Sequence, residues 1–202
     1  MKKNKISFKN LLLTGLLCLG IWQLGLGAYM QVKAKLAQYL IAQAWQSNVE
    51  QGGDKRIKPW FYADTWPIAK LEIPQLNVEE YILWDASERN LAFGAAHLLP
   101  TAKLGTLENT DSGNTSLIAG HNDTNFAFLS KLKLGDTYKL TLGSGLLMTY
   151  QVSNISIIHQ SDTSFLRLDA TAANRLYLMT CYPFNSLTSG TEQRYLVESV
   201  VI

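Results

Sequence analysis

From residue 67 onward, apolar and polar positions alternate over short runs, the period of a strand with one buried face. Eight segments read as short strands, several of them alternating in this way: PIAKLEI at 67–73, EEYILW at 79–84, TSLIAG at 115–120, TYKLTL at 137–142, LLMTYQV at 146–152, ISIIH at 155–159, RLYLMT at 175–180 and RYLVESVVI at 194–202. Gly143-Ser144-Gly145 supplies turn residues for a hairpin between two of them. Helical stretches are short and centre on 88–96, 126–132 and 164–168. Eight short strands in about 135 residues predict a mainly β domain closed as an eight-stranded barrel with short helices.

The first part of the chain has a different pattern. No charged residue occurs at positions 10–32, between Lys9 and Lys33, and the heart of the stretch is LLLTGLLCLGIWQLGLGAYM. At 1.5 Å of rise per residue, roughly 20 such residues cross a bilayer core. A cleaved signal peptide would have a shorter apolar region of about 7–15 residues and a small-residue cleavage site. Gly27-Ala28 is a poor one. Lys2, Lys3, Lys5 and Lys9 precede the span and only Lys33 and Lys35 follow closely, which orients the N-terminus to the cytoplasm.

The expected organisation is a cytoplasmic tail at 1–9, a transmembrane signal anchor at 10–32, a helical stalk and linker at 33–58, and an external barrel domain at 59–202. Val32, Leu36, Tyr39, Leu40 and Ala44 give the stalk its helical spacing, and Gly52-Gly53 is its expected stop. Trp60 and Trp66, with Pro59 and Pro67, suit either a membrane interface or a wrap around the domain.

Charge narrows the function classes. The chain has 202 residues, with 18 Lys and Arg against 16 Asp and Glu. No acid precedes Glu50, so the part beyond the stalk is net acidic. A nucleic-acid binder would carry its positive charge on the folded domain, so that class is disfavoured.

Candidate chemistry is sparse, and this makes it informative. Of two cysteines, Cys18 lies in the apolar span, leaving Cys181 as the one thiol of the external domain, with no disulfide partner there. It ends the strand RLYLMT just before Tyr182-Pro183. His121 ends TSLIAG in the same way, at the tip of a rigid element. The other histidines, His97 and His159, lie in a loop-like segment and at a strand end.

A Cys-His pair supplies an activated nucleophile, and Arg194, opening the last strand, could hold a carbonyl oxygen as charge develops on it. A surface ion pair is the other role open to Arg194. Asp123 could orient the His121 ring. No CxxC or HExxH spacing and no phosphate loop occurs, so neither metal nor cofactor is expected.

IAGHNDTNFAFLSKLKLGD, LYLMTCYPF and RYLV together resemble a sortase. Gly120-His121, Thr180-Cys181 and the Arg194 of the following strand match that family's pattern in order. KPWFYADTWPIAKLEIP at 58–74, FGAAHLLPTAKLG at 93–105 and IIHQSDTSFL at 157–166 are similar to class GN, the marine proteobacterial sortases of Gram-negative bacteria.

The resemblance implies an eight-stranded sortase barrel and a cysteine transpeptidase with Cys181 as nucleophile. His121 would be the acid/base and Arg194 the carbonyl-oxygen donor, with Thr180, of a motif here reading LMTC, positioning substrate. It further implies an LPXTG-like C-terminal sorting signal on a membrane-tethered partner with a vault/inter-alpha-trypsin-inhibitor-type domain, transfer to an amine acceptor, and an inner-membrane location with the catalytic domain periplasmic. No acidic cluster resembles the calcium site of some sortases. Two other readings are an L,D-transpeptidase-like acyltransferase, whose cysteine sits in a Gly-Cys-x-Arg setting absent here, and a catalytically silent membrane-anchored barrel that only binds.

Overall fold

A computed structural model describes residues 8–105, 115–166, 174–186 and 190–202. Residues 167 and 168 of the third expected helical stretch lie outside the described residues. The chain divides into two compact units, 1–39 and 40–202. Helix α1, Phe8–Glu50, contributes to both. It is long and apolar enough to cross a membrane.

The eight strands are β1 Pro67–Ile73, β2 Val78–Leu83, β3 Ala96–His97, β4 Thr115–Ala119, β5 Thr137–Leu142, β6 Leu147–His159, β7 Arg175–Tyr182 and β8 Gln193–Val201. They close into a barrel in the order β1-β2-β3-β4-β7-β8-β6-β5. Pairings are antiparallel except β2 with β3 and β4 with β7. Alternation decides what faces inward. Ala69, Leu71, Ile82, Ile118, Tyr138, Leu140, Met148, Tyr150, Val152, Leu176, Leu178 and Val197 fill the interior.

Two features differ from the pattern read in the sequence. LLMTYQV and ISIIH form one strand, β6, with a register shift between Val152 and Asn154. A bulge inserts one unpaired residue and reverses which parity faces inward. Met148, Tyr150 and Val152 point into the barrel before it, and Ile155 packs inward after it. The added strand is β3, two residues of the segment expected to be loop. The hairpin after β5 turns as expected, with Gly145 at φ +86° and the Leu142 N–H donating to the Leu146 carbonyl at 2.9 Å.

The end of α1 lies on the domain. Ile41, Ala44, Trp45 and Asn48 are buried, and Ile41 joins Leu83 and Ala96 on the outer face of β2 and β3, under Trp60 and Phe93. The helix stops where Gly52 and Gly53 take positive φ. Trp60 packs edge-on against Phe93 at 4.8 Å, and Trp66 stacks on Trp84 at 5.2 Å. Both indoles wrap the domain.

One inward-facing strand position is acidic. Glu80 shares its face of β2 with Ile82 and pairs with Leu71. Burial pushes its pKa up to about 7. A folded pKa above the unfolded value stabilises the fold fully below about pH 4.5, and that contribution falls away as pH rises to 7. Glu80→Gln is therefore expected to stabilise the domain at pH 8, by on the order of 2 kcal/mol, with little effect at pH 4. Denaturant unfolding of both forms at the two pH values checks this, and equal differences at both would contradict it.

Candidate active site

Strand parity places three candidate residues on one face. On β7, Leu176 and Leu178 point into the barrel, while Tyr177 and Met179 pack on the opposite, outer face. Cys181 continues that outer row. On β4, Ile118 is inward and Leu117 and Ala119 are outward, so the same alternation carried past the strand end puts His121 outward. On β8, Val197 is inward and Leu196 outward, and Arg194 follows Leu196 on the outer side.

Register then aligns them along the barrel axis. Cys181 and Arg194 are direct cross-strand partners, and such pairs hold their Cβ atoms about 5 Å apart. The parallel pairing of β4 with β7 matches Ala119 to Met179, and two residues further it matches position 121 to 181. The structure thus brings Cys181, Arg194 and the His121 position to one rim. Cys181 and Arg194 are half-buried and His121 is exposed.

The segment carrying His121 is tied to the one carrying Cys181 by three hydrogen bonds. The Gly120 N–H donates to the Met179 carbonyl at 3.1 Å. The Thr180 hydroxyl donates to the Gly120 carbonyl at 2.6 Å, and the Asn122 side-chain amide donates to the Pro183 carbonyl at 3.1 Å. Gly120 must be glycine for packing reasons, because a Cβ there would stand 2.7 Å from the Phe126 ring. The Asp123 carboxylate accepts from the Thr124 hydroxyl at 3.3 Å.

Thr180 faces away from Cys181. It is only 2% exposed, and its hydroxyl is committed to the backbone beside His121.

Arg194 is held by neutral groups. Its guanidinium donates to the carbonyls of Thr191 and Gln193 and to Gln160 Oε1, the last at 3.0 Å. Among the described residues no carboxylate pairs with it, so the surface ion-pair role is absent there. Gln160 and Asn122 carry no motif of their own. Only the β6–β8 register, which puts Gln160 beyond the His159–Gln193 pair, reveals the first of them.

The remaining histidines stand apart in their bonding. His97 is 2% exposed. Its Nε2 lies 2.9 Å from the Ala102 carbonyl and so carries the proton. Burial lowers its pKa, which keeps the ring neutral. His159 is exposed, with Nδ1 2.7 Å from the Ser161 hydroxyl and Nε2 3.6 Å from Glu192 Oε2.

Among the described residues, no group of three or more His, Cys, Asp or Glu residues is arranged to hold a metal.

Below the rim, the outer face of β4, β7 and β8 is apolar. Leu117, Tyr177 and Leu196 form its floor, with Ala119, Met179, Ile158, Phe165 and Leu166 around them.

The eight-stranded barrel matches known proteins. The sortase domain model matches residues 71–201, and the chain belongs to the sortase family. Sortase C1 from Streptococcus suis superposes with a TM-score of 0.58 at 24% identity, covering 67% of this chain and 73% of that one. A lid mutant of sortase A from Corynebacterium diphtheriae gives 0.61 at 20%, covering 87% and 95%. Sortase C from Clostridium perfringens, solved with the C-terminal cell wall sorting motif, gives 0.60 at 20%, covering 84% and 89%. No curated protein matches the chain. Family membership makes it a sortase transpeptidase and removes the L,D-transpeptidase reading.

Proposed function

We propose that this chain is a membrane-anchored class GN sortase that cleaves an LPXTG-like C-terminal sorting signal and transfers the acyl part to an amine. The carrying observation is that Cys181 and Arg194 are cross-strand partners on the same outer rim as the His121 position.

In the reaction, the Cys181 thiolate attacks the threonyl carbonyl carbon and the electron pair moves onto oxygen. Collapse breaks the C–N bond, and His121 gives its proton to the departing amine. The thioester is then attacked by the acceptor amine, whose proton passes to His121, and the C–S bond breaks to return the thiolate. Water in place of the amine gives hydrolysis. The apolar outer face below the rim suits the Leu and Pro side chains of the signal. Its partner is a membrane-tethered protein, in the class GN case one with a vault/inter-alpha-trypsin-inhibitor-type domain. Residues 1–9 lie in the cytoplasm, 10–32 cross the inner membrane, 33–58 link the two parts, and the catalytic domain is periplasmic with the last turns of α1 packed on it.

Arg194 acts on the oxyanion. A guanidinium held by two carbonyls and Gln160 offers its remaining donors in a fixed planar fork, whereas lysine is a more hydrated point charge on a flexible stem. Arg194→Ala is expected to lose roughly 10²–10³-fold in kcat, as for removal of one oxyanion donor. Arg194→Lys should also lose much of kcat despite keeping the charge. Steady-state kinetics on one sorting-signal peptide checks both. A loss confined to KM would instead mean uniform binding of substrate and transition state.

Thr180 acts through His121 and does not touch the substrate. Thr180→Val removes the donor to the Gly120 carbonyl, a bond worth about 1 kcal/mol net. A kcat loss of roughly five- to tenfold with KM little changed is expected, and Thr180→Ser should restore kcat. A rise in KM alone would return Thr180 to the substrate-binding role that the motif implies.

A further inference from the structure

Among the described residues of 40–202, the most exposed large apolar side chain is Phe61, at 91%, and its neighbour Tyr62 is 58% exposed. The turn that carries them is fixed on both sides. Trp60 is packed beneath it with Ile41, Leu83 and Phe93. Ala63 is buried, and its N–H donates to the Trp60 carbonyl at 3.0 Å. The Phe61 and Tyr62 rings stand edge to face at 4.8 Å, so they present one aromatic tip. Leu134 and Leu147, other exposed apolar residues of the barrel, have no such exposed apolar sequence neighbour in Leu134's case and lie on a hairpin in Leu147's.

A basic segment leads into this turn. Lys55, Arg56 and Lys58 are all exposed. The segment is pinned to the end of α1 by buried Asn48, which donates to the Gly53 carbonyl at 3.1 Å and accepts from the Lys55 N–H at 2.8 Å. Arg56 lies 5.1 Å above the Trp66 ring. Of the nearby acids, Asp64 is paired with Arg89 at 3.1 Å, and Asp54, exposed before Lys55, leaves segment 54–58 with three basic residues against one acid.

We infer that the Phe61–Tyr62 turn, with Lys55 and Lys58, docks on an anionic lipid surface. Aromatic side chains partition to the interfacial layer of a bilayer, and basic residues beside them are drawn to anionic headgroups. The inference rests on the reading of 10–32 as a membrane anchor. Ile41, which packs in the same cluster as Trp60, is only nine residues beyond Val32, where the uncharged stretch ends. That tether keeps the turn within reach of the surface. One covalent anchor and a second weak contact reinforce each other through effective concentration.

The test uses the full chain with Cys18→Ser and Cys181→Ala, reconstituted in phosphatidylcholine vesicles with or without phosphatidylglycerol. Tyr62→Cys is labelled with an environment-sensitive nitrobenzoxadiazole dye, and lipids with a nitroxide near the headgroup serve as quencher. Ser130→Cys, exposed and next in sequence to Lys131, which lines a cavity with Val78 at the opposite end of β2, is the reference position. The label at 62 is expected to be quenched several-fold more than the label at 130 when phosphatidylglycerol is present. Lys55→Glu with Lys58→Glu should reduce that quenching to its level in phosphatidylcholine alone. Equal quenching at 62 and 130, in protein that floats with the vesicles, overturns the docking and leaves the anchor standing. Failure to float overturns the anchor and the docking with it.

Discussion

Replacing Cys181 with alanine is expected to abolish cleavage of a sorting-signal peptide, with no residual thioester and no transfer to amine. The chemistry needs a sulfur nucleophile, and Cys181 is the one thiol outside the apolar span of α1. The fold should tolerate the change. Cys181 is half-buried at the rim, outside the interior cluster, and loses only one sulfur atom. Thermal unfolding within a few degrees of wild type, with activity gone, is the expected pair of results. Turnover near wild type would remove Cys181 from the mechanism.

The second large effect is at His121. A group that donates a proton to the leaving amine and takes one from the acceptor contributes about 10²–10⁴-fold. His121→Ala should lose at least that range in both cleavage and transfer. His159→Ala should lose less than tenfold, because its ring is engaged with Ser161 and Glu192. His97→Gln should also stay within tenfold per folded molecule, although it disturbs a buried network in which Thr101 and Ala102 hold the ring. Equal losses at all three histidines would point to a shared structural role.

Much of this was legible because strands impose a period of two. Each strand tip with a candidate residue could be named from the short apolar run before it, and TSLIAG and RLYLMT are strands that end near His121 and Cys181. What a linear pattern does not contain is pairing. The parallel register of β4 and β7, and the match of Cys181 with Arg194, arise from contacts between segments about 60 and 13 residues apart along the chain.

The same limit hid Gln160 and Asn122, whose partners lie across the rim. Nor does the motif around Thr180 contain the bond that its hydroxyl makes to the Gly120 carbonyl. The bulge near Ser153 reversed the alternation within β6 and made one strand read as two. A two-residue β3 is too short for any period to show. The stalk pattern of Leu36, Tyr39 and Ala44 marked a helix correctly, but the buried set is Ile41, Ala44, Trp45 and Asn48. Only the barrel surface beneath these residues selects that face.

The central claim is that an acyl group passes through Cys181. Its most direct measurement is the intact mass of the full chain, in detergent, after incubation with an LPXTG peptide and no amine, followed by peptide mapping. The account predicts a gain equal to the peptide's N-terminal fragment through threonine, less one water, carried on Cys181 and released by hydroxylamine. It also predicts that the adduct is absent in Cys181→Ala and accumulates in wild type faster than in His121→Ala. No adduct with any sorting-signal peptide that the protein binds would contradict it and leave the barrel a binding module, and an adduct on another residue would contradict it by placing the nucleophile elsewhere.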